Sequence, residues 1–242
     1  MAGRLSGRHA VVTGATRGIG RAIAERLASE GAEVTGTGTK PSGALPAGCR
    51  YAQLVLDDPR SVDAFCESLA RTAPHILINN AGVSNPQAYE AIEDGEFRRV
   101  QEINLMAPMR LCQAVIPGMK RHGWGRIVNL TSIWGPMARS ARATYAASKS
   151  ALDGLTGTLA AEVAPFNILA NCVAPGFTET ELIKAIYDAN RLDALAKTVP
   201  MKRLAQPREI AAVVAWLAGP ENGYVTGQNI VVDGGLSRLR EV

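Results

Sequence analysis

The strongest constraint in this sequence is a rhythm. Short apolar runs of strand type alternate with stretches of helical period, from the first run at 9–13 to the last at 229–232. Residues 9–13 (HAVVT) lead into Gly18–Ser29, where Ile19, Ala22, Ile23, Arg26 and Leu27 recur at helical spacing. Runs at 32–37, 51–56 and 75–79 read as the next three strands, with a helix over 59–71 that begins on a proline. The stretch 95–121 predicts one extended helix. Residues 126–131 predict a strand ahead of a helix over 144–163, followed by a strand at 168–173, a helix at 207–218 and the last strand. Each crossover helix must pack back on the sheet, and strands apolar on both faces are buried on both. The expected fold is therefore α/β, a single-domain doubly wound parallel sheet, Rossmann-like, with helices on both faces over 1–242. Ligands of such sheets bind beyond the carboxyl ends of the strands. Two stretches break the rhythm. Residues 40–50 hold two prolines and two glycines and leave no room for a helix. Residues 177–203 form a long insertion at the ligand end and read as a substrate loop.

Composition removes several classes of function. Hydrophobic residues make up 47% and charged residues 20%, enough for a full core and too little charge for disorder. The longest nearly unbroken apolar run, 210–218, is far short of the roughly 20 residues that span a bilayer, so no membrane partner is expected. The opening MAGRLSGR lacks the apolar segment of a secretory signal, and a cytoplasmic location is expected. Cys49, Cys66, Cys112 and Cys172 are scattered, and His9, His75 and His122 are isolated, so neither a metal site nor a disulfide framework is expected. The formal charge of +4 is small and spread along the chain. Its densest cluster, Lys120, Arg121, His122 and Arg126, reads as a solvated helix end, and 5% aromatics offer few stacking platforms. Nucleic acid is not an expected partner.

Three local patterns carry chemistry. The turn from Thr13 to Gly20 (TGATRGIG) follows the first strand and opens the first helix. Glycines there let the backbone approach a pyrophosphate, and the helix N-terminus supplies free N–H donors. The second strand ends in Gly36-Thr37-Gly38-Thr39-Lys40 with no acid. An acid at that point would bond the adenosine ribose and repel a 2′-phosphate. Its absence favours NADP over NAD, with Arg17 and Lys40 as sources of positive charge and Thr37 or Thr39 as sources of a hydroxyl. Tyr145 and Lys149 stand four apart on a predicted helix and so share a face. An ammonium near a phenol lowers its pKa and makes it a usable acid–base group. Ser132 follows the strand at 126–131, where a hydroxyl can bond a substrate oxygen.

Taken together, TGATRGIG, Asn79-Asn80-Ala81-Gly82, Asn104, Ser132, YAASK (145–149) and Pro175-Gly176 resemble the short-chain dehydrogenase/reductases over nearly the whole chain. The stretches GTGT, MKRHGWGRIVN and NCVAPGFTETE are most similar to the bacterial β-ketoacyl-carrier-protein reductases. The resemblance implies a general acid–base role for Tyr145 and a nicotinamide-ribose contact by Lys149, which also lowers the tyrosine pKa. It implies that Ser132 orients the carbonyl, and that Asn104 holds a water linking Lys149 to solvent. Gly14, Thr16, Arg17, Gly18, Ile19 and Gly20 would then border the cofactor's phosphates and ribose. Asn80, Ala81 and Gly82 would lie along the adenosine ribose, and Asp57 would meet the adenine. Pro175, Gly176, Thr178 and Thr180 would border the nicotinamide. The implied reaction is hydride transfer from NADPH to a carbonyl, without a metal, in a homotetramer paired through the helices around 95–121 and 143–165 and the C-terminal strand.

The substrate is the less constrained part. The first expectation is a β-ketoacyl thioester. The alternative is a cyclic, aromatic or sugar-like ketone, and a non-catalytic dinucleotide sensor on the same fold is a distant third. Phe166 stands where many carrier-protein reductases have a basic residue that helps dock the acidic carrier. Trp134 either walls the carbonyl pocket or packs on the helix, and Phe177 is a further candidate to meet substrate.

Overall fold

The computed structural model describes residues 3–239, so the ends of the expected 1–242 unit, residues 1–2 and 240–242, lie outside the described residues. Seven strands form one parallel sheet: β1 (His9–Val12), β2 (Glu33–Gly38), β3 (Arg50–Gln53), β4 (Ile76–Asn79), β5 (Gly125–Leu130), β6 (Ile168–Pro175) and β7 (Asn229–Val232). Their order is β3-β2-β1-β4-β5-β6-β7, so the winding reverses between β1 and β4. That reversal opens a crevice at the carboxyl edge. The helices are α1 (Gly18–Ser29), α2 (Pro59–Thr72), α3 (Asp94–Gln101), α4 (Ala107–His122), α5 (Ala143–Val163), α6 (Glu181–Ile186), α7 (Ala189–Thr198) and α8 (Pro207–Ala218).

Alternation along each strand separates two cores. Ala10, Val12, Ile76, Ile78 and Val128 face α1 and α8, where they meet Ile23, Leu27 and Val214. Val11, Leu77 and Ile127 face the other way, onto Leu69, Leu111 and Val115 of α2 and α4. Complete burial of such a side chain contributes about 1.5–3 kcal/mol. The central strands are therefore held from both faces.

Several expectations need correction. The helix expected over 95–121 is broken: α3 stops at Gln101 and a π-helical turn, Glu102–Met106, joins it to α4. Pro108 has no N–H to give the Asn104 carbonyl, and the turn presents the Asn104 side chain to the backbone of Val83. The third strand ends at Gln53, and Leu54 and Leu56 turn into the α2 core instead. The stretch at 177–203 holds two short helices, α6 and α7.

The three histidines are not isolated. His75 Nδ1 accepts from the His9 backbone N–H at 3.2 Å, and its ring stacks on His122 at 4.3 Å. Burial, His122, Arg8 and His9 together push His75 down to about 4. Arg126 does not belong to a solvated patch either. It is 2% exposed, donates to the carbonyls of Gly125, Asn167 and Asn222, and lies 4.3 Å from the Trp124 ring. This assembly closes the amino edge of the sheet, opposite the crevice. Among the described residues no group of three or more His, Cys, Asp or Glu could hold a metal ion, and no helix is long and apolar enough to cross a membrane.

Candidate active site

The turn after β1 is knitted to two neighbours. Gly14 has φ 66°, a conformation that side-chain-bearing residues rarely adopt, and its N–H donates to Thr37 Oγ1 at 3.3 Å. Thr37 is 2% exposed, so its hydroxyl braces the turn rather than facing a ligand. Asn80 Nδ2 donates to the Thr13 and Gly14 carbonyls at 2.9 and 3.2 Å. The N–H groups of Asn80 and Ala81 donate to Thr13 Oγ1. A Cβ on Gly20 would lie 2.2 Å from Gly14 O, so only glycine fits there. The α1 N-terminus that this turn positions already holds an anion, because Gly18 N–H donates to Glu181 Oε2 at 3.1 Å.

At the end of β2, Arg17, Thr39 and Lys40 are exposed, and neither cation forms an ion pair among the described residues. Tyr51 donates its hydroxyl to Lys40 O and Gln53 Nε2 donates to Thr39 O, which fixes the loop. Thr16 sits close against Gly38. Asp57, expected beside an adenine, is held by Arg99 in an ion pair of 3.0 Å.

Beyond β4, β5 and β6 lies a cavity of about 250 Å³, at the small end for a ligand pocket. Ser132, Tyr145 and Lys149 all line it, as do Ile19, Asn80, Gly82, Pro175, Gly176, Thr178 and Thr180. Ser132 stands just past β5, and Tyr145 and Lys149 lie one turn apart in the first turns of α5. Trp134 walls the cavity against Phe177, with ring centres 5.7 Å apart, which decides between its two expected placements. Asn104 lies behind. Its Oδ1 accepts from Val83 N–H, and its Nδ2 donates to Val83 O and Ser148 Oγ, so the side chain acts as a brace for the 80–84 loop.

The electrostatics differ from expectation. Burial pushes the Tyr145 phenol up, opposed by a hydrogen bond with Ser132 and by the charge of Arg142 rather than of Lys149. Lys149 Nζ donates to Leu130 O at 2.6 Å and lies 5.6 Å from the Tyr145 ring centre. Burial lowers its own pKa to about 8. The phenol thus stays protonated at neutral pH.

Arg139, Arg142, Ile183 and Tyr187 also line the cavity and were not anticipated. A signal for Arg142 existed, since it stands three residues before Tyr145 at the N-cap of α5. Arg139 has no such pattern around it.

The family model described as enoyl-(acyl carrier protein) reductase matches residues 14–237. The chain belongs to the short-chain dehydrogenase/reductase family. It is 42% identical over 240 residues to 3-oxoacyl-[acyl-carrier-protein] reductase FabG of Vibrio cholerae, covering 96% of this chain and 98% of that one. Identity to the enzyme of the same name from Escherichia coli is 41% over 238 residues, covering 95% and 97%. Among solved structures it superposes on a gluconate 5-dehydrogenase from Burkholderia cenocepacia in complex with NADP and tartrate, with a TM-score of 0.90, 33% identity and 98% of each chain covered. As an oxidoreductase of this family, the chain carries its Tyr-x-x-x-Lys pair inside the cavity just described.

Proposed function

We propose that this short-chain dehydrogenase/reductase uses NADPH to reduce a carbonyl to a secondary alcohol. The observation that carries the reading is the convergence of Ser132, Tyr145 and Lys149 on one cavity that Ile19 and Asn80 join to the glycine turn. The site fits the cofactor. The α1 N-terminus accepts an oxyanion, as its bond to Glu181 demonstrates, and the space beside Gly14 and Gly20 is held free of side chains. Arg17 and Lys40, with no acid at the carboxyl end of β2, suit a 2′-phosphate. The solved gluconate 5-dehydrogenase with NADP supports the same choice. Bound NADPH supplies a hydride to the carbonyl carbon. Ser132 and the Tyr145 hydroxyl hold the carbonyl oxygen, and Tyr145 donates the proton that the developing alkoxide takes. Lys149, whose Nζ is fixed by Leu130 O at 2.6 Å, would hold the nicotinamide ribose. Asn104 keeps Val83 and Gly82 against Lys149. Residues 177–203 act as the substrate loop, contributing Phe177, Ile183 and Tyr187 to the wall.

The names of the curated relatives support a 3-oxoacyl thioester as substrate. The narrow Trp134–Phe177 wall and the gluconate 5-dehydrogenase neighbour support a compact, sugar-like ketone as the second reading. Exposed Met106, Leu155 and Val231, within or beside the expected pairing elements, fit a homotetramer. The test follows loss of NADPH absorbance with a short β-ketoacyl thioester beside cyclic, aromatic and sugar-like ketones, with NADH in parallel. Turnover should be faster with NADPH. Thioester turnover supports the first substrate reading, turnover confined to ketones supports the second, and no turnover at all overturns the function.

Glu181 bears on cofactor affinity, because its carboxylate occupies a donor that a pyrophosphate would take. Charge at a helix N-terminus contributes about 0.3–1 kcal/mol. Glu181→Gln should therefore tighten NADPH binding by about twofold to fivefold in a fluorescence titration. Weaker binding in the variant would show that Glu181 helps to seat the cofactor instead.

A further inference from the structure

The cavity that holds Ser132 and Tyr145 is lined by three cations, Arg139, Arg142 and Lys149, and by no Asp or Glu. Lys149 is taken up by Leu130 O and the catalytic role proposed for it. The two arginines are not. Among the described residues Arg139 has neither a hydrogen bond nor an ion pair; its guanidinium rests 4.9 Å from the Trp134 ring centre and 5.3 Å from that of Phe177. Contact with the two rings restrains the guanidinium and leaves its N–H donors unspent. Arg142 gives one N–H to Ser84 Oγ at 2.6 Å and has no carboxylate partner among the described residues.

The backbone between them is strained. Ala141 has φ 62°, an uncommon conformation for a residue with a side chain, and its carbonyl is held by Gln87 N–H at 3.2 Å. This turn places both arginines on the cavity, Arg142 one helical turn from the catalytic phenol. Two guanidinium groups facing one cavity, neither with a carboxylate partner among the described residues, are placed to share one anion. The carbonyl region of an acyl thioester offers no such group. A carboxylate does, and it matches the guanidinium fork with two parallel bonds.

We propose that Arg139 and Arg142 form a carboxylate clamp and that the preferred substrate is a small ketone bearing a carboxylate. The clamp rests on the carbonyl-reductase reading above and names its substrate class. Clamping one end leaves the ketone oxygen to Ser132 and Tyr145, so the arginines set which carbonyl of a small polar acid is presented. They take no part in proton or hydride transfer.

The test compares acetoacetate, levulinate and 5-keto-D-gluconate, each beside its methyl ester, in NADPH-linked assays. Hydrogen bonds to charged groups contribute roughly 1.5–3 kcal/mol, equivalent to about 10- to 150-fold. At least one acid should therefore exceed its ester in kcat/KM by about 30-fold or more. Arg139→Gln and Arg142→Gln should each collapse that ratio to within about threefold, mainly by raising KM. A second readout avoids turnover: succinate, which has neither a ketone nor a hydroxyl, should bind the complex with NADP⁺ by calorimetry and lose that binding in both variants. Equal rates for acids and esters, or an acid preference that survives both substitutions, would overturn the clamp and leave the reductase reading standing. No turnover of any carbonyl would overturn the reductase reading, and succinate binding would then decide the clamp alone.

Discussion

Tyr145→Phe should lower kcat by about 10³-fold while NADPH binding stays within about threefold of wild type. General acid catalysis is worth roughly 10²- to 10⁴-fold, and the phenol here combines proton donation with a hydrogen bond to the developing alkoxide. Its pKa is raised by burial, so it remains protonated at neutral pH and ready to donate. The substitution removes one oxygen from a side chain held by the first turn of α5 and leaves the packing of its ring intact. Loss of rate would then report chemistry and not folding. Steady-state kcat beside a fluorescence titration of NADPH separates the two. A variant within tenfold of wild type would move the proton donor elsewhere, to Ser132 or to water.

The second large effect concerns the cofactor turn. Gly20→Ala places a Cβ 2.2 Å from Gly14 O and 2.4 Å from Asn80 Nδ2, and neither neighbour can yield without losing a bond that holds the turn. Overpacking of this kind costs about 1–3 kcal/mol. In a chain of this size it should lower Tm by about 2–12 °C. The displaced turn should also weaken NADPH binding by 100-fold or so, because the backbone donors of the α1 N-terminus act only when aimed at the phosphates. Gly95→Ala is the matching control, since its Cβ meets nothing within 4 Å. Thermal melts with and without NADPH test both. Unchanged affinity in Gly20→Ala would remove the turn from the cofactor site.

Much of this molecule is written in short-range pattern. A strand or a helix is fixed by the period of its apolar residues over a dozen positions, so α1, α8 and β7 fall at the expected residues. The Tyr145–Lys149 pair is likewise legible because a helix puts residues four apart on one face. The glycine turn is legible because close backbone approach demands glycine. Each of these depends on neighbours in sequence.

What the pattern did not show depends on partners far along the chain. The π-helical turn inside 95–121 carries Asn104 to the backbone of Val83, 21 residues away. Asp57 is claimed by Arg99, 42 residues on, and Gly18 by Glu181 at a separation of 163. The histidines meet only because β1 and β4 are neighbours in the sheet. The phenol pKa was expected to fall beside Lys149 and instead rises, because desolvation depends on everything packed around the ring and not on one residue four places away. Sequence alone therefore determined the α/β fold, the family and the shared helical face of Tyr145 and Lys149. The tertiary structure alone decided which charges are satisfied and which are left facing the cavity. Periodicity is a property of consecutive residues, whereas charge compensation and desolvation belong to the assembled space between them.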